Sequence, residues 1–389
     1  RAPQWSLLGR MQGYQTIDPF IDAENEPYRR VPQFAFSGRW DRNAMRFSSH
    51  NELVKFDRSV GTTGWRMDHT EELSYAFTKP GMFLTPAFAL RQTNYWLDDR
   101  SSDERTEFSR TLPVASVDAG LTFDRVTGMG GGHIQTIEPR VLYAHVPFED
   151  QSDLPLFDTI EPTFNPVQLF RKYRYLGADR IADTDQMSFG LTTRLIDVHT
   201  GQEKLTGTIG QTRYLSAQEV VLPNQLPSPA NASDYIAELS LSLHPSWRLG
   251  VDYQWDSETN KTARSETRFQ YRPGSNRLLG VAYRYQNGLL NQSDISIIWP
   301  LGQAWRVIGR ASYSFLDDRP LERFLGWEYE SCCWRLRLIS RRYISRRTGE
   351  SDSSLTIQFL LRGFTDDGDS PEELLERGIL GYRRFENTP

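Results

Sequence analysis

Between Trp247 and Asp256 the side chains alternate without a slip. Trp247, Leu249, Val251, Tyr253 and Trp255 take one parity; Arg248, Gly250, Asp252, Gln254 and Asp256 take the other. Successive residues of a strand point to opposite faces, so this stretch has one apolar, aromatic wall and one polar wall. The pattern recurs along nearly the whole chain with no helical interruption. It predicts about 18 strands of the length barrels use, over 5–14, 33–41, 46–56, 64–78, 82–95, 113–124, 134–146, 186–197, 203–214, 235–243, 247–256, 263–272, 278–286, 292–299, 304–315, 321–330, 333–343 and 354–363. The fold class this implies is all-β: an antiparallel transmembrane β-barrel, with lipid outside and water or a plug inside.

The connections set the orientation. Lys79-Pro80-Gly81, His244-Pro245-Ser246, Pro273 to Arg277 and Pro300 to Gln303 are tight and carry the Pro, Gly and Asn that turn geometry requires. The stretches 15–32, 96–112, 147–185 and 215–234 are long. Outer-membrane barrels have short periplasmic turns and longer outer loops, so both ends of this chain are expected in the periplasm. The 147–185 loop exceeds the usual connection length and is expected to carry function or to pack on something. Its four prolines and Phe148, Phe157, Phe164 and Phe170 make it too apolar for a freely solvated loop. After Phe364 the character changes, which divides the chain into a barrel portion, 1–364, and a periplasmic tail, 365–389. Ser370-Pro371-Glu372-Glu373 has the order of an N-cap, a proline at the first helical position and a capping-box acid, predicting a short helix to about Arg377.

Composition changes little of this. Hydrophobic residues are 38% of the 389, as in many soluble proteins, but a barrel has the same average because half of each strand and most of each loop is polar. No apolar run approaches the ~20 residues a membrane helix needs. The formal net charge of −5 argues against a nucleic-acid partner. The 17 Tyr and 10 Trp suit interfacial girdles. Export demands a leader, so the start at Arg1 is expected to follow a removed segment. The six histidines are scattered and match no metal spacing. Gly128-Met129-Gly130-Gly131-Gly132 leads into a strand, not a helix, and reads as a turn. No metal, cofactor or catalytic set emerges, and the chain is not expected to be an enzyme.

Only two cysteines are present, Cys332 and Cys333, in the turn between the strands 321–330 and 333–343. A bond between them is disfavoured, since neighbouring Cα atoms lie about 3.8 Å apart and disulfides prefer about 4.4–6.8 Å. Neighbours in extended chain also point to opposite sides. The pair therefore reads either as two thiols with separate partners elsewhere or as two free, buried cysteines. If the turn centres on Ser331 and Cys332, Glu328 lies opposite Arg335 as a lumen salt bridge, Tyr329 faces Trp334, and Trp327 faces Leu336.

These residues resemble the LptD family of lipopolysaccharide-assembly barrels. The run Trp327-Glu328-Tyr329-Glu330-Ser331-Cys332-Cys333-Trp334 is similar to that family's adjacent-cysteine segment. Gln135-Thr136-Ile137-Glu138-Pro139-Arg140-Val141-Leu142-Tyr143 resembles a second segment, as do Leu169-Phe170-Arg171, Gly177-Ala178-Asp179-Arg180-Ile181 and Gly190-Leu191-Thr192-Thr193-Arg194, with Leu361-Arg362-Gly363-Phe364 at the end. The resemblance implies a barrel of about 26 strands, preceded by a periplasmic jellyroll and plugged by a lipoprotein, LptE. It further implies lipopolysaccharide delivered by periplasmic bridge proteins and released by lateral opening between first and last strands. By position, Cys332 and Cys333 would then form disulfides to two cysteines in the N-terminal region. With fewer strands and no other cysteines, this chain matches the C-terminal part of such a protein.

The arginines Arg341, Arg342, Arg346 and Arg347 sit at or beyond the outer rim, where they are candidates for contact with the phosphates of lipopolysaccharide. The alternative is ordinary pairing with nearby acids such as Glu350 and Asp352. The function expected is assembly of lipopolysaccharide into the outer leaflet of the outer membrane; the alternative is a passive porin.

Overall fold

The computed structural model describes residues 4–16, 21–98, 105–128, 132–223, 225, 231–344, 349–361 and 379. Its strands are β1 (Gln4–Gln12), β2 (Arg29–Arg42), β3 (Met45–Asp57), β4 (Thr63–Tyr75), β5 (Phe77–Lys79), β6 (Met82–Asp98), β7 (Glu107–Leu121), β8 (Phe123–Thr127), β9 (His133–Val146), β10 (Thr184–Asp197) and β11 (Glu203–Tyr214). They continue as β12 (Tyr235–Leu241), β13 (Trp247–Asp256), β14 (Lys261–Gly274), β15 (Arg277–Gln286), β16 (Leu290–Leu301), β17 (Trp305–Ser314), β18 (Arg319–Glu330), β19 (Trp334–Ile344) and β20 (Ser351–Leu361). Among the described residues one short α-helix, α1 (Pro166–Leu169), lies between β9 and β10, and a single 3-10 turn spans Ala23–Asn25. Pairing is antiparallel and follows chain order, as in β2 with β3, β3 with β4, and β12 through β20 in succession. The chain forms two compact units. The first comprises 1–124, 136–192 and 209–233; the second comprises 125–135, 193–208 and 234–389.

The predicted runs become 20 strands because two of them are broken. The run 64–78 splits at Ala76, whose N–H leaves the ladder for the carbonyl of Ala44 at 2.7 Å. Both pieces, β4 and β5, still pair with β6. The run 113–124 splits at Thr122, whose N–H donates to Gly81 at 2.7 Å. β7 also starts at Glu107, earlier than expected. There Phe108 and Leu112 are buried while Ser109 and Thr111 are exposed. The apolar parity is inverted over those residues, which hides the strand from a reading that expects greasy residues outside.

In the second unit the two walls are plain. Trp247 is 52% exposed and Tyr253 and Val281 are also exposed, while Asp294, Glu328 and Arg337 on the opposite parity are buried. A soluble sandwich would bury the first set. Aromatic rings gather at both ends of the apolar face. At the tight-turn end Trp305, Tyr329, Trp334 and Phe359 follow one another with centroids 4.9, 5.0 and 5.7 Å apart. At the other end Tyr313 and Phe315 meet at 5.3 Å. Rings with an apolar body and a polar edge suit the boundary between hydrocarbon and water. In the first unit Trp5, Leu7, Phe34, Leu73 and Phe88 are likewise exposed, as an apolar face turned to lipid requires.

The alternation of short and long connections holds as far as residue 234, except at 58–62, which is no longer than 128–132 or 198–202, and then lapses. The connections 257–260, 287–289 and 315–318 are as short as the turns opposite them. The orientation inferred from loop length therefore rests on the first part of the chain.

Candidate functional site

The connection from β9 to β10, residues 147–183, is docked on the polar face of β3, β4, β6 and β7. Phe157 stacks on Phe56 with centroids 4.4 Å apart and meets Tyr28 edge-on at 5.1 Å. Val54, Tyr95, Leu97, Phe108 and Leu154 complete this core. The apolar loop composition is thus used against the chain's own strands. The inverted parity of β7 has the same cause, since Phe108 is one of the residues the loop covers.

Charge fixes the loop in place. Arg66 of β4 is almost wholly buried. Its Nη1 lies 2.6 Å from Asp158 Oδ1 and 2.7 Å from Asp179 Oδ1, and its Nη2 lies 2.6 Å from Glu52 Oε2. Asp179 Oδ2 accepts from the backbone N–H groups of Phe157 and Asp158, both at 2.8 Å. Burial pushes the Asp179 carboxyl above the usual carboxylate range, against the pull of Arg66. Burial also works to raise Asp158, but the hydrogen bonds and charge of Arg66 prevail and hold it below that range. A second buried guanidinium, Arg110 of β7, donates to Gln151 Oε1 at 2.6 Å and to the carbonyls of Ala178 and Asp179 at 2.6 and 3.0 Å. Gln151 closes the circuit, accepting from the Ile181 N–H at 3.0 Å and donating to the Ile181 carbonyl at 2.8 Å.

Two backbone details make the docking possible. Gly177 has φ of 98°, which a side chain would strain, and a Cβ there would sit 2.9 Å from the Asp158 carbonyl. A Cβ on Gly210 would lie 2.3 Å from the Leu169 side chain, so β11 leaves room for the end of α1. The helix itself is capped by Asn165, whose Oδ1 accepts from the N–H groups of Val167 and Gln168 at 2.9 and 3.0 Å. The next connection, 215–234, is tied in as Asp183 accepts from Glu219 and Val220. Sequence reasoning missed Arg66, Arg110, Asp158 and Asp179 as a set. Their signals were a polar-parity arginine on two strands and a loop too greasy for water, and neither names the partner.

In the second unit Cys332 and Cys333 occupy the tip of the turn between β18 and β19, and both are exposed. This excludes the buried-pair alternative. Ser331 N–H donates to the Trp334 carbonyl at 2.9 Å, closing a turn whose two central residues are the cysteines. The expected register is corrected accordingly. Glu328 pairs with Arg337, Tyr329 with Leu336, Trp327 with Leu338, and Arg335 with Glu330. The slip is two residues, so every side chain keeps its face, and parity could not detect it. Glu328 Oε2 meets Arg337 Nη2 at 2.7 Å, Glu328 Oε1 is bonded by Arg306, and Arg335 Nε stands 3.8 Å from Glu328 Oε1. Interaction with the Cys333 thiol, helped by Ser331 Oγ at 3.9 Å, lowers Cys332 from the ordinary thiol value, and the same contact raises Cys333. Cys332 is therefore expected to alkylate first and at lower pH than Cys333. Mass-spectrometric timing of iodoacetamide labelling against pH checks this, and equal midpoints would contradict it.

Arg341 is engaged, with Nε 2.6 Å from Glu322 Oε1 and its guanidinium 4.2 Å over the Tyr343 ring. Arg342 is exposed and donates to Ser351 Oγ at 3.2 Å. Arg346 and Arg347 lie outside the described residues, as does the predicted helix from Ser370. Among the described residues no group of acids, histidines and cysteines could hold a metal ion.

An all-β antiparallel sheet with an aromatic-rimmed apolar face and a buried ionic face defines a transmembrane β-barrel protein. A profile of the LptD family, described as LPS transport system D, matches residues 1–305, and the chain belongs to that family. It is 38% identical over 383 residues to the LPS-assembly protein LptD of Nitrosococcus oceani, covering 97% of this chain and 52% of that protein. It is 37% identical to the protein of the same name from Xanthomonas axonopodis pv. citri, covering 98% and 53%. The chain spans about half the length of these curated relatives. Among solved structures, the ferric preacinetobactin receptor BauA of Acinetobacter baumannii overlays with a TM-score of 0.37 at 12% identity, covering 85% of this chain and 66% of that one.

Proposed function

We propose that this chain is the membrane-embedded C-terminal portion of an outer-membrane translocon that assembles lipopolysaccharide into the outer leaflet. The carrying observation is the match to curated LPS-assembly proteins along almost the whole chain, on a sheet whose apolar face is built for lipid. In this reading the strands form part of a larger family barrel, export proceeds by its lateral opening, and both ends of the chain are periplasmic. An LptE-like lipoprotein plugs the lumen, and periplasmic bridge proteins deliver lipopolysaccharide to the N-terminal domain. The exposed thiols of Cys332 and Cys333, at the tip of a tight turn, form disulfides with cysteines that precede this chain. Among the described residues Arg342 is the rim arginine open to a phosphate, since Arg341 is already held by Glu322; Arg346 and Arg347 remain candidates beside it. The role is one of transport, with no covalent change to the lipopolysaccharide.

Depletion of the full-length protein is expected to strip newly made lipopolysaccharide from the cell surface, read by surface staining. Replacing both cysteines by serine is expected to reduce the same signal. Unchanged surface lipopolysaccharide after depletion would reject the reading. Ion conduction by the isolated chain in a planar bilayer would favour a diffusion channel instead.

A further inference from the structure

The polar face of the second unit carries one row that does not belong there. Leu278 pairs with Ile298, Ile298 with Ile308, Ile308 with Gly326, and Gly326 with Ile339. The row thus crosses β15 to β19 at a single register level. It shares its parity with the ionic residues on either side. Toward the tight turns runs the Arg306–Glu328–Arg337 set; toward the other end Arg310 holds Asp294 at 2.6 Å and Glu322 at 2.7 Å. An apolar row between two charged rows gains nothing from water. It is nevertheless 5% exposed or less at each of Leu278, Ile298, Ile308 and Ile339; the buried cluster it forms also takes in Phe324, two residues along β18 from Gly326, and Ile379, which lies outside these strands and is fully buried.

We propose that this row is a seat for the chain's own C-terminal segment, with Ile379 as the anchoring side chain. Ile379 follows β20, whose register is given by β19 from Trp334–Leu361 to Ile344–Ser351. Seating Ile379 on β15 to β19 therefore ties the chain downstream of β20 back to strands before it and restrains the β19–β20 hairpin. Gly326 contributes a gap in the row. A Cβ there would lie 3.2 Å from Ile339 Cγ1, so a larger residue would crowd the seat. The occupant is this segment because its side chain is apolar, as the row demands, and is found there with no exposed surface. The proposal does not depend on the export reading.

The test uses the full-length protein in detergent, without lipopolysaccharide. A benzophenone amino acid placed at 379 is expected to crosslink, on irradiation, to peptides bearing Ile298, Ile308 or Ile339. Ile379→Asp is expected to speed amide exchange in the β19–β20 hairpin by about tenfold or more, as an apolar contact of this size implies, while Ile379→Leu leaves it unchanged. Crosslinks confined to other regions, or equal exchange in Ile379→Asp and the parent, would overturn the proposal. The crosslink arm retains its force if the aspartate variant does not fold.

Discussion

Replacing Arg66 by alanine is expected to release the 147–183 loop. The guanidinium is the common partner of Asp158, Asp179 and Glu52; its loss leaves Asp179, fully buried, without an ion-pair partner and facing Asp158, which among the described residues keeps only Arg30, at 3.2 Å. Removing one side of a buried ion pair costs about 3–5 kcal/mol, because the remaining charge stays desolvated. Here that cost falls on a loop whose other attachments include the aromatic stack, the Arg110–Gln151 circuit, and the ion pairs Lys172–Glu72 at 2.6 Å and Arg30–Asp158 at 3.2 Å. The loop is expected to pass from protease resistance to rapid cleavage while the strands stay folded, as judged by heat-modifiable migration on a gel. Arg66→Lys keeps the charge but cannot present the fork that spans two carboxylates, and should fall between. Adding Asp158→Asn and Asp179→Asn to the alanine variant should restore part of the protection, since the penalty is electrostatic. A loop that stays intact in Arg66→Ala would show that the aromatic core and the remaining polar ties hold it without the Arg66 set.

How much of this was legible beforehand depends on whether the needed information is local. Parity along 247–256 is local, and the structure has Trp247 and Tyr253 exposed as the alternation requires. The breaks at Ala76 and Thr122 depend on carbonyls of Ala44 and Gly81 on neighbouring turns, so nothing nearby in sequence announces them. β7 was cut short for the opposite reason. Phe108 is apolar and buried, but under a loop rather than in lipid, and a two-state pattern has no symbol for that. The docking set was out of reach because Arg66 and Asp179 are 113 positions apart. The resemblance to a family pointed at Gly177-Ala178-Asp179-Arg180-Ile181 without saying why those residues matter. Their geometry supplies the reason: a left-handed glycine, a buried acid that gathers two backbone N–H groups, and carbonyls that accept from Arg110.

The corrected register of the last hairpin changes what charge exchange should do. With Glu328 opposite Arg335, exchanging those two charges would preserve the pair. With Glu328 opposite Arg337 and also bonded by Arg306, Glu328→Arg with Arg335→Glu sets a third guanidinium against two that remain. Glu328 and Arg337 are each 1% exposed, so the repulsion is poorly screened. Because Arg335 stands 3.8 Å from Glu328, the double exchange is expected to recover only a small part of what Glu328→Arg alone loses. Glu328→Ala, which leaves the arginines without their shared acid, is expected to cost about 3–5 kcal/mol. Glu328→Arg with Arg337→Glu should recover more, because an acid then stands directly across the strand pair, although Arg306 keeps it short of the parent. Urea midpoints of the refolded protein, followed by heat-modifiable migration, order the variants. Full rescue by the Arg335 exchange would mean that the turn centres on Ser331 and Cys332 after all, and would move Cys333 off the tip and into the first position of β19.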